Sequence, residues 1–203
     1  MALTFDDGPS IYTSRVLAIL LRAHVHATFF VVGERARTDT AALRQMVRDG
    51  DLIGNHTFTH PDRPRSLDHL PVAAQEAQID KATAVIVRAT GVRPCFVRAP
   101  QGMDYSAVTH RLVYERGMSL THWSNTSSDF AQPGGLDPAW VRRIVEGATH
   151  PLSAHAIVLL HDGGNATTRQ RLNTLVALPQ IIAYYKAHGY VFTDPAGRRF
   201  TTS

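Results

Sequence analysis

Ala2-Leu3-Thr4-Phe5-Asp6-Asp7-Gly8-Pro9 begins as a short apolar strand and ends on two adjacent carboxylates and a Gly-Pro turn. An apolar run this short, stopped by turn residues, is the pattern of a strand buried in a sheet. Residues 13–23 follow, with Val16, Leu17, Ile19, Leu20 and Leu21 on an inner side, and read as a helix.

The same unit recurs down the chain. Residues 28–32 form a β-branched and aromatic run closed by Gly33. Residues 40–49 read as a helix ended by Gly50, which suits a left-handed C-terminal position. Residues 52–54 are a brief strand leading to His56, and a helix over 71–90 stops at Gly91. Strands are expected at 95–97, 119–123, 156–160 and 190–192, with helices at 105–116, 138–148 and 168–188. Asp137-Pro138 opens one of these helices with an N-cap residue and proline at the first helical position. Pro179 marks an expected kink in the last. The stretch 124–137 is the longest irregular loop.

About seven strands alternating with six or seven helices predict a parallel α/β domain, closed like a barrel. A doubly wound open sheet is the alternative. No linker divides residues 1–203, so one domain is expected. Hydrophobic residues make up 44% of the 203, enough for a sizeable core, and charged residues only 19%, which excludes a disordered chain.

Charge and cysteine content limit the partners. The net charge of +4 is carried by arginines scattered over many segments, with Lys81 and Lys186 the only lysines. Nothing clusters into a nucleic-acid surface. The best apolar run, 156–160, is far too short to span a membrane. Cys95 stands alone, so no intrachain disulfide forms. No export signal precedes the first strand; the expectation is that a longer native N-terminus would carry one.

The chemistry-bearing residues fall at strand ends. Asp6 and Asp7 end the first strand, His56 and His60 follow the third, and Arg98 the fourth. Asp129 lies in the long loop, and His161 ends the strand at 156–160. In a parallel barrel these ends share the face that carries active sites. Two histidines four residues apart plus one carboxylate form a three-ligand set that leaves positions open, as catalytic metals need. Alone, that pair is weak evidence in a chain with 11 histidines. Neighbouring Asp6 and Asp7, however, are costly together unless a cation compensates. Arg98, His161 and Trp123 each also have an ordinary structural reading, as a surface arginine, a turn-edge histidine and a core ring. The other histidines fit no usable spacing.

Taken in order, five segments resemble the polysaccharide deacetylases of carbohydrate esterase family 4, the NodB homology domain. They are Thr4-Phe5-Asp6-Asp7-Gly8-Pro9, His56-Thr57-Phe58-Thr59-His60, Arg98-Ala99-Pro100-Gln101-Gly102, Asp129-Phe130 and Leu159-Leu160-His161. Residues 27–33 also resemble the family's second strand.

The resemblance implies a distorted (β/α)7 barrel and one divalent ion, zinc foremost. Cobalt or nickel would also suit Asp and His ligands. It implies Asp7, His56 and His60 as ligands, Asp6 as general base, and His161 as the acid that protonates the leaving group. Arg98 would orient Asp6, Asp129 would tune His161, and the Gln101 backbone N–H would meet the oxyanion. Trp123, Phe130 and Leu159 would wall the acetyl pocket. The implied partner is an acetylated polysaccharide or oligosaccharide: chitin-type chains, acetylxylan or peptidoglycan. The implied protein is secreted or wall-associated and monomeric. Competing readings are a small-molecule amidase on the same barrel and a carbohydrate-binding relative without turnover. Three positions depart from the family pattern: Gln101 where tyrosine is common, Phe130 where tryptophan is common, and Thr126 where another Asp often stands.

Overall fold

The computed structural model describes residues 1–102, 106–164 and 171–200. Seven parallel strands form one sheet in the order β5-β4-β3-β2-β1-β7-β6. They are β1 (Ala2–Gly8), β2 (Thr28–Val31), β3 (Leu52–Asn55), β4 (Phe96–Val97), β5 (Ser119–Leu120), β6 (Asn125–Thr126) and β7 (Ile157–His161). The helices are α1 (Thr13–Ala23), α2 (Gly33–Thr38), α3 (Thr40–Arg48), α4 (Val72–Thr90), α5 (Ala107–Glu115), α6 (Pro138–Thr149) and α7 (Leu172–Ala187). The sheet curls into a half-barrel, and among the described residues its edge strands β5 and β6 are not paired with each other. The distorted barrel is therefore the right architecture, with a seam left open.

β1 is central because both its faces are covered and both its edges paired. Leu3 and Phe5 are fully buried, and Phe5 stacks on Phe29 of β2 with ring centroids 5.1 Å apart. Burying each such ring stabilises the fold by roughly 2 kcal/mol. Parallel register then does the positioning, since Phe5 lies opposite Leu160 and Asp6 opposite His161. The local signals hold where they were read: Gly91 ends α4 at φ 74, Gly50 follows α3 at φ 83, and Asp137 caps α6 by accepting from the Ala139 N–H at 2.8 Å.

Several boundaries move. Residues 190–192, expected as a strand, are not one, although Val191 O accepts from the Met1 amino group and the Thr193 N–H donates to Met1 O. The seventh strand is β6, inside the stretch read as irregular; two residues were too few to signal it. β5 ends at Leu120 rather than 123 because the next carbonyls, Thr121 O and His122 O, accept from Arg98. α2 was not foreseen, and Asp39 separates it from α3 by capping the Ala42 N–H. α7 runs unbroken through Pro179. The expected starts at 105 and 168 lie outside the described residues.

Candidate functional site

The ends of β1, β3, β4 and β7 meet around a cavity of about 430 Å³ lined by Asp6, Asp7, His56, His60, Trp123, Phe130, Leu159 and His161 among others. Asp6 and Asp7 reach it from one strand and both face His56 Nε2, at 3.7 and 3.5 Å, but Asp6 alone pairs with Arg98 and Asp7 alone with His60. Asp7 adopts a left-handed backbone (φ 73), a conformation costly for a non-glycine residue, and it lets neighbouring carboxylates diverge. Its carbonyl is held from two sides. The Arg35 guanidinium donates to it at 2.5 Å, and Gly163 packs so closely that a Cβ would fall 1.9 Å away. Behind the turn, buried Asp162 accepts from Thr13 Oγ1 at 2.5 Å, and burial pushes its carboxyl up to about 7.

Asp6 pairs with Arg98 at 2.7 Å. Arg98 is 0% exposed, and its remaining donors reach Thr4 Oγ1 (2.8 Å), Thr121 O (3.2 Å) and His122 O (3.0 Å). Its guanidinium lies over the Phe30 ring, 4.2 Å from the centroid. The surface reading of Arg98 is thus wrong. A charge buried so deeply survives because each of its three nitrogens donates at least one hydrogen bond.

Asp7, His56 and His60 present ligand atoms within 4.8 Å of one another. His56 Nε2 stands 3.5 Å and His60 Nε2 3.1 Å from Asp7 Oδ1, which is buried and makes no hydrogen bond. The opposite ring nitrogens are engaged: His56 Nδ1 meets Arg98 O at 2.7 Å and His60 Nδ1 meets Asp62 Oδ1 at 3.0 Å. Arg98 O only accepts, so His56 Nδ1 carries the proton, and the carboxylate charge of Asp62 beside His60 Nδ1 favours the same tautomer there; each Nε2 then offers a lone pair. An orphaned carboxylate oxygen facing two such lone pairs fits a divalent cation of the zinc type. Burial pushes Asp7 up, but the two facing imidazoles outweigh it and hold the carboxyl well below the usual range. For His60, burial lowers the imidazole, yet the close approach of Asp7 and the charges of Asp7 and Asp62 raise it.

Across the cavity, Asp129 is fully buried and clasps His161: Oδ1 meets Nδ1 at 2.6 Å, and Oδ2 accepts from the His161 N–H at 2.9 Å and from Thr174 Oγ1 at 2.8 Å. Burial opposes the imidazolium, but Asp129 overrides it and raises His161 above its ordinary value. The same pairing lowers Asp129 in spite of its burial.

Trp123, Phe130 and Leu159 line the same cavity. Leu159 is buried, Trp123 is half-buried against Gly102, and Phe130 sits edge-on to His161 with its ring 60% exposed at the rim. Gln101, at φ 59, also lines the cavity, and its side-chain amide donates to Asp62 at 3.0 Å. Thr126 is exposed on β6, paired with Leu159. Sequence reasoning missed Asp62, Arg35 and Arg171. Asp62 carried one signal, a carboxylate two residues beyond a candidate ligand. Arg35 and Arg171 bond backbone carbonyls and leave no pattern.

Residues 1–121 match the family described as Polysaccharide deacetylase. A chitooligosaccharide deacetylase of Sinorhizobium fredii is 32% identical over 93% of this chain and 86% of its own length. A peptidoglycan-N-acetylglucosamine deacetylase of Bacillus cereus is 33% identical over 95% of this chain and 84% of its own. A family 4 carbohydrate esterase from Streptomyces lividans, solved in complex with acetate, superposes with a TM-score of 0.81 at 26% identity, covering 100% of this chain and 96% of that one. The chain belongs to the polysaccharide deacetylase family.

Proposed function

We propose that this protein is a metal-dependent hydrolase that removes acetyl groups from a carbohydrate chain, with Asp6 as base and His161 as acid. The observation that carries this reading is the register of β1 and β7. It sets Asp6 opposite His161, each held by its own buried counter-charge, with the Asp7–His56–His60 cluster in the same cavity. A divalent ion held by those three residues would polarise the acetyl carbonyl and acidify the attacking water.

The chain's own groups supply the proton transfers. Asp6, paired with Arg98, takes a proton from the water as it attacks the carbonyl carbon. The Gln101 N–H, on a residue lining the cavity, meets the oxyanion that forms. His161, kept protonated by Asp129, gives its proton to the leaving nitrogen or oxygen as the bond to the acetyl carbon breaks. Acetate and a free amine or hydroxyl result. Base and acid need opposite protonation states at one pH; the base has a cationic partner in Arg98, and the acid an anionic one in Asp129 that raises it. The exposed Phe130 ring at the rim gives a sugar an apolar face to stack on.

The relatives named for chitooligosaccharide and for peptidoglycan N-acetylglucosamine support an N-acetylated glucosamine chain as substrate, with action outside the cell or in its wall. No helix among the described residues is long and apolar enough to cross a membrane. The test is acetate release from chitin oligomers, peptidoglycan and acetylxylan, using untreated, chelated and zinc-restored protein and Asp6→Asn. Chelation should abolish release, zinc should restore it, and Asp6→Asn should cost roughly 10²–10⁴-fold. Release that survives both chelation and Asp6→Asn sinks the mechanism, and release from none of the three sinks the substrate class.

A further inference from the structure

Asp62 Oδ1 stands 3.0 Å from His60 Nδ1 and 3.0 Å from Gln101 Nε2. One oxygen thus joins the loop after β3, which carries a candidate ligand, to the loop after β4, which carries the candidate oxyanion amide. Both joined residues have left-handed backbones, His60 at φ 58 and Gln101 at φ 59, conformations that persist only when their surroundings hold them. Pro61, between His60 and Asp62, stiffens the link. Gln101 can be the donor here because it carries an amide where the family commonly has tyrosine.

We propose that Asp62 is a positioning residue that locks the His60 ring and the Gln101 loop into one unit. The ligand's lone pair and the Gln101 N–H then keep a fixed separation across the cavity. The carboxylate fixes the Nε2-free form of His60, as partners of metal-bound histidines do. Through Nε2 of Gln101 it also sets where the backbone of the neighbouring loop lies. This inference rests on the functional reading above.

The test measures zinc affinity of the full chain by competition with a chromogenic chelator, and kcat on a chitin oligomer at saturating zinc. Asp62 is exposed at the cavity lip, so its variants keep the core intact. Asp62→Ala should weaken zinc binding about 10–100-fold. Asp62→Asn, whose amide oxygen can still accept from Gln101 Nε2 and still face His60 Nδ1, should stay within about threefold of the original affinity. Gln101→Leu should leave zinc affinity unchanged but lower kcat about 10–100-fold. In Asp62→Ala/Gln101→Leu, kcat should fall no further than in Asp62→Ala, because both changes break one unit. Unchanged zinc affinity in Asp62→Ala, an Asp62→Asn as weak as Asp62→Ala, or additive losses of kcat would each overturn the proposal while leaving a working deacetylase. An unsubstituted chain that neither binds zinc nor releases acetate overturns the functional reading itself.

Discussion

Asp129 grips His161 twice, through the imidazole Nδ1 at 2.6 Å and through the backbone N–H at 2.9 Å. One carboxylate thereby sets both the ring's charge and the end of β7. The backbone bond keeps the ring in place even where the charge is removed.

That double grip separates two effects of Asp129→Asn. The amide still accepts from the backbone N–H, so the fold should persist, but the charge that raises His161 is lost. An acid must be protonated to work, so the alkaline limb of the kcat/KM profile should move to lower pH. Activity at pH 8 should fall by roughly 10²-fold or more. An unmoved alkaline limb would remove His161 from the role of acid.

Arg98 and Asp6 should respond differently to neutralisation. Arg98→Met leaves a buried carboxylate unpaired and should cost about 3–5 kcal/mol in urea unfolding. Asp6→Asn keeps an oxygen for Arg98 and should cost much less stability while removing nearly all acetate release. Equal stability losses in the two variants would contradict the pairing.

Gly163→Ala tests the clamp on Asp7. The new Cβ would meet Asp7 O at 1.9 Å and Gly8 N at 2.9 Å, both of them backbone atoms that cannot swing aside. Destabilisation of roughly 2–4 kcal/mol is expected, with zinc affinity falling in parallel. A melting temperature equal to that of the unsubstituted protein would show that the turn can yield.

Asp51 lies at the opposite end of the sheet, where burial pushes its carboxyl from 3.8 up to about 8. Between those values the folded chain keeps a proton that the unfolded chain has released. Its contribution is therefore favourable below about pH 4 and is lost as pH rises toward 8. Asn at this position can still accept from the Ala27 N–H, the bond Asp51 Oδ1 makes at 2.8 Å, without this penalty. The melting temperature of Asp51→Asn should gain on the parent between pH 5 and pH 8, and parallel curves would refute the assignment.

The fold was legible where each strand carried its own apolar run and each helix its own stop signal, as with β1, α4 and Gly91. It was illegible where an element owes its existence to a neighbour. β6 is two residues laid against Val158 and Leu159, and α2 leans on the loop after β3 through Gly33 and Glu34 N–H bonds to Thr57 O and Phe58 O. Within the site, side chains at strand ends announced themselves by spacing. Contacts made to carbonyls, such as Arg35 on Asp7 and Arg171 on Asp129, have no spacing to read. The exposure of Phe130 and the complete burial of Arg98 likewise depend on how the sheet curls, which no single segment encodes.

Six non-glycine residues among those described have positive φ, and four of them are Asp7, Thr57, His60 and Gln101. Each left-handed residue costs on the order of 1–2 kcal/mol that a glycine would not. Heat tolerance and turnover are therefore set against each other in this chain. Glycine at Thr57 would relax the backbone, yet it would remove the buried hydroxyl that accepts from the His60 N–H at 3.2 Å and slacken the hinge on which both histidines hang.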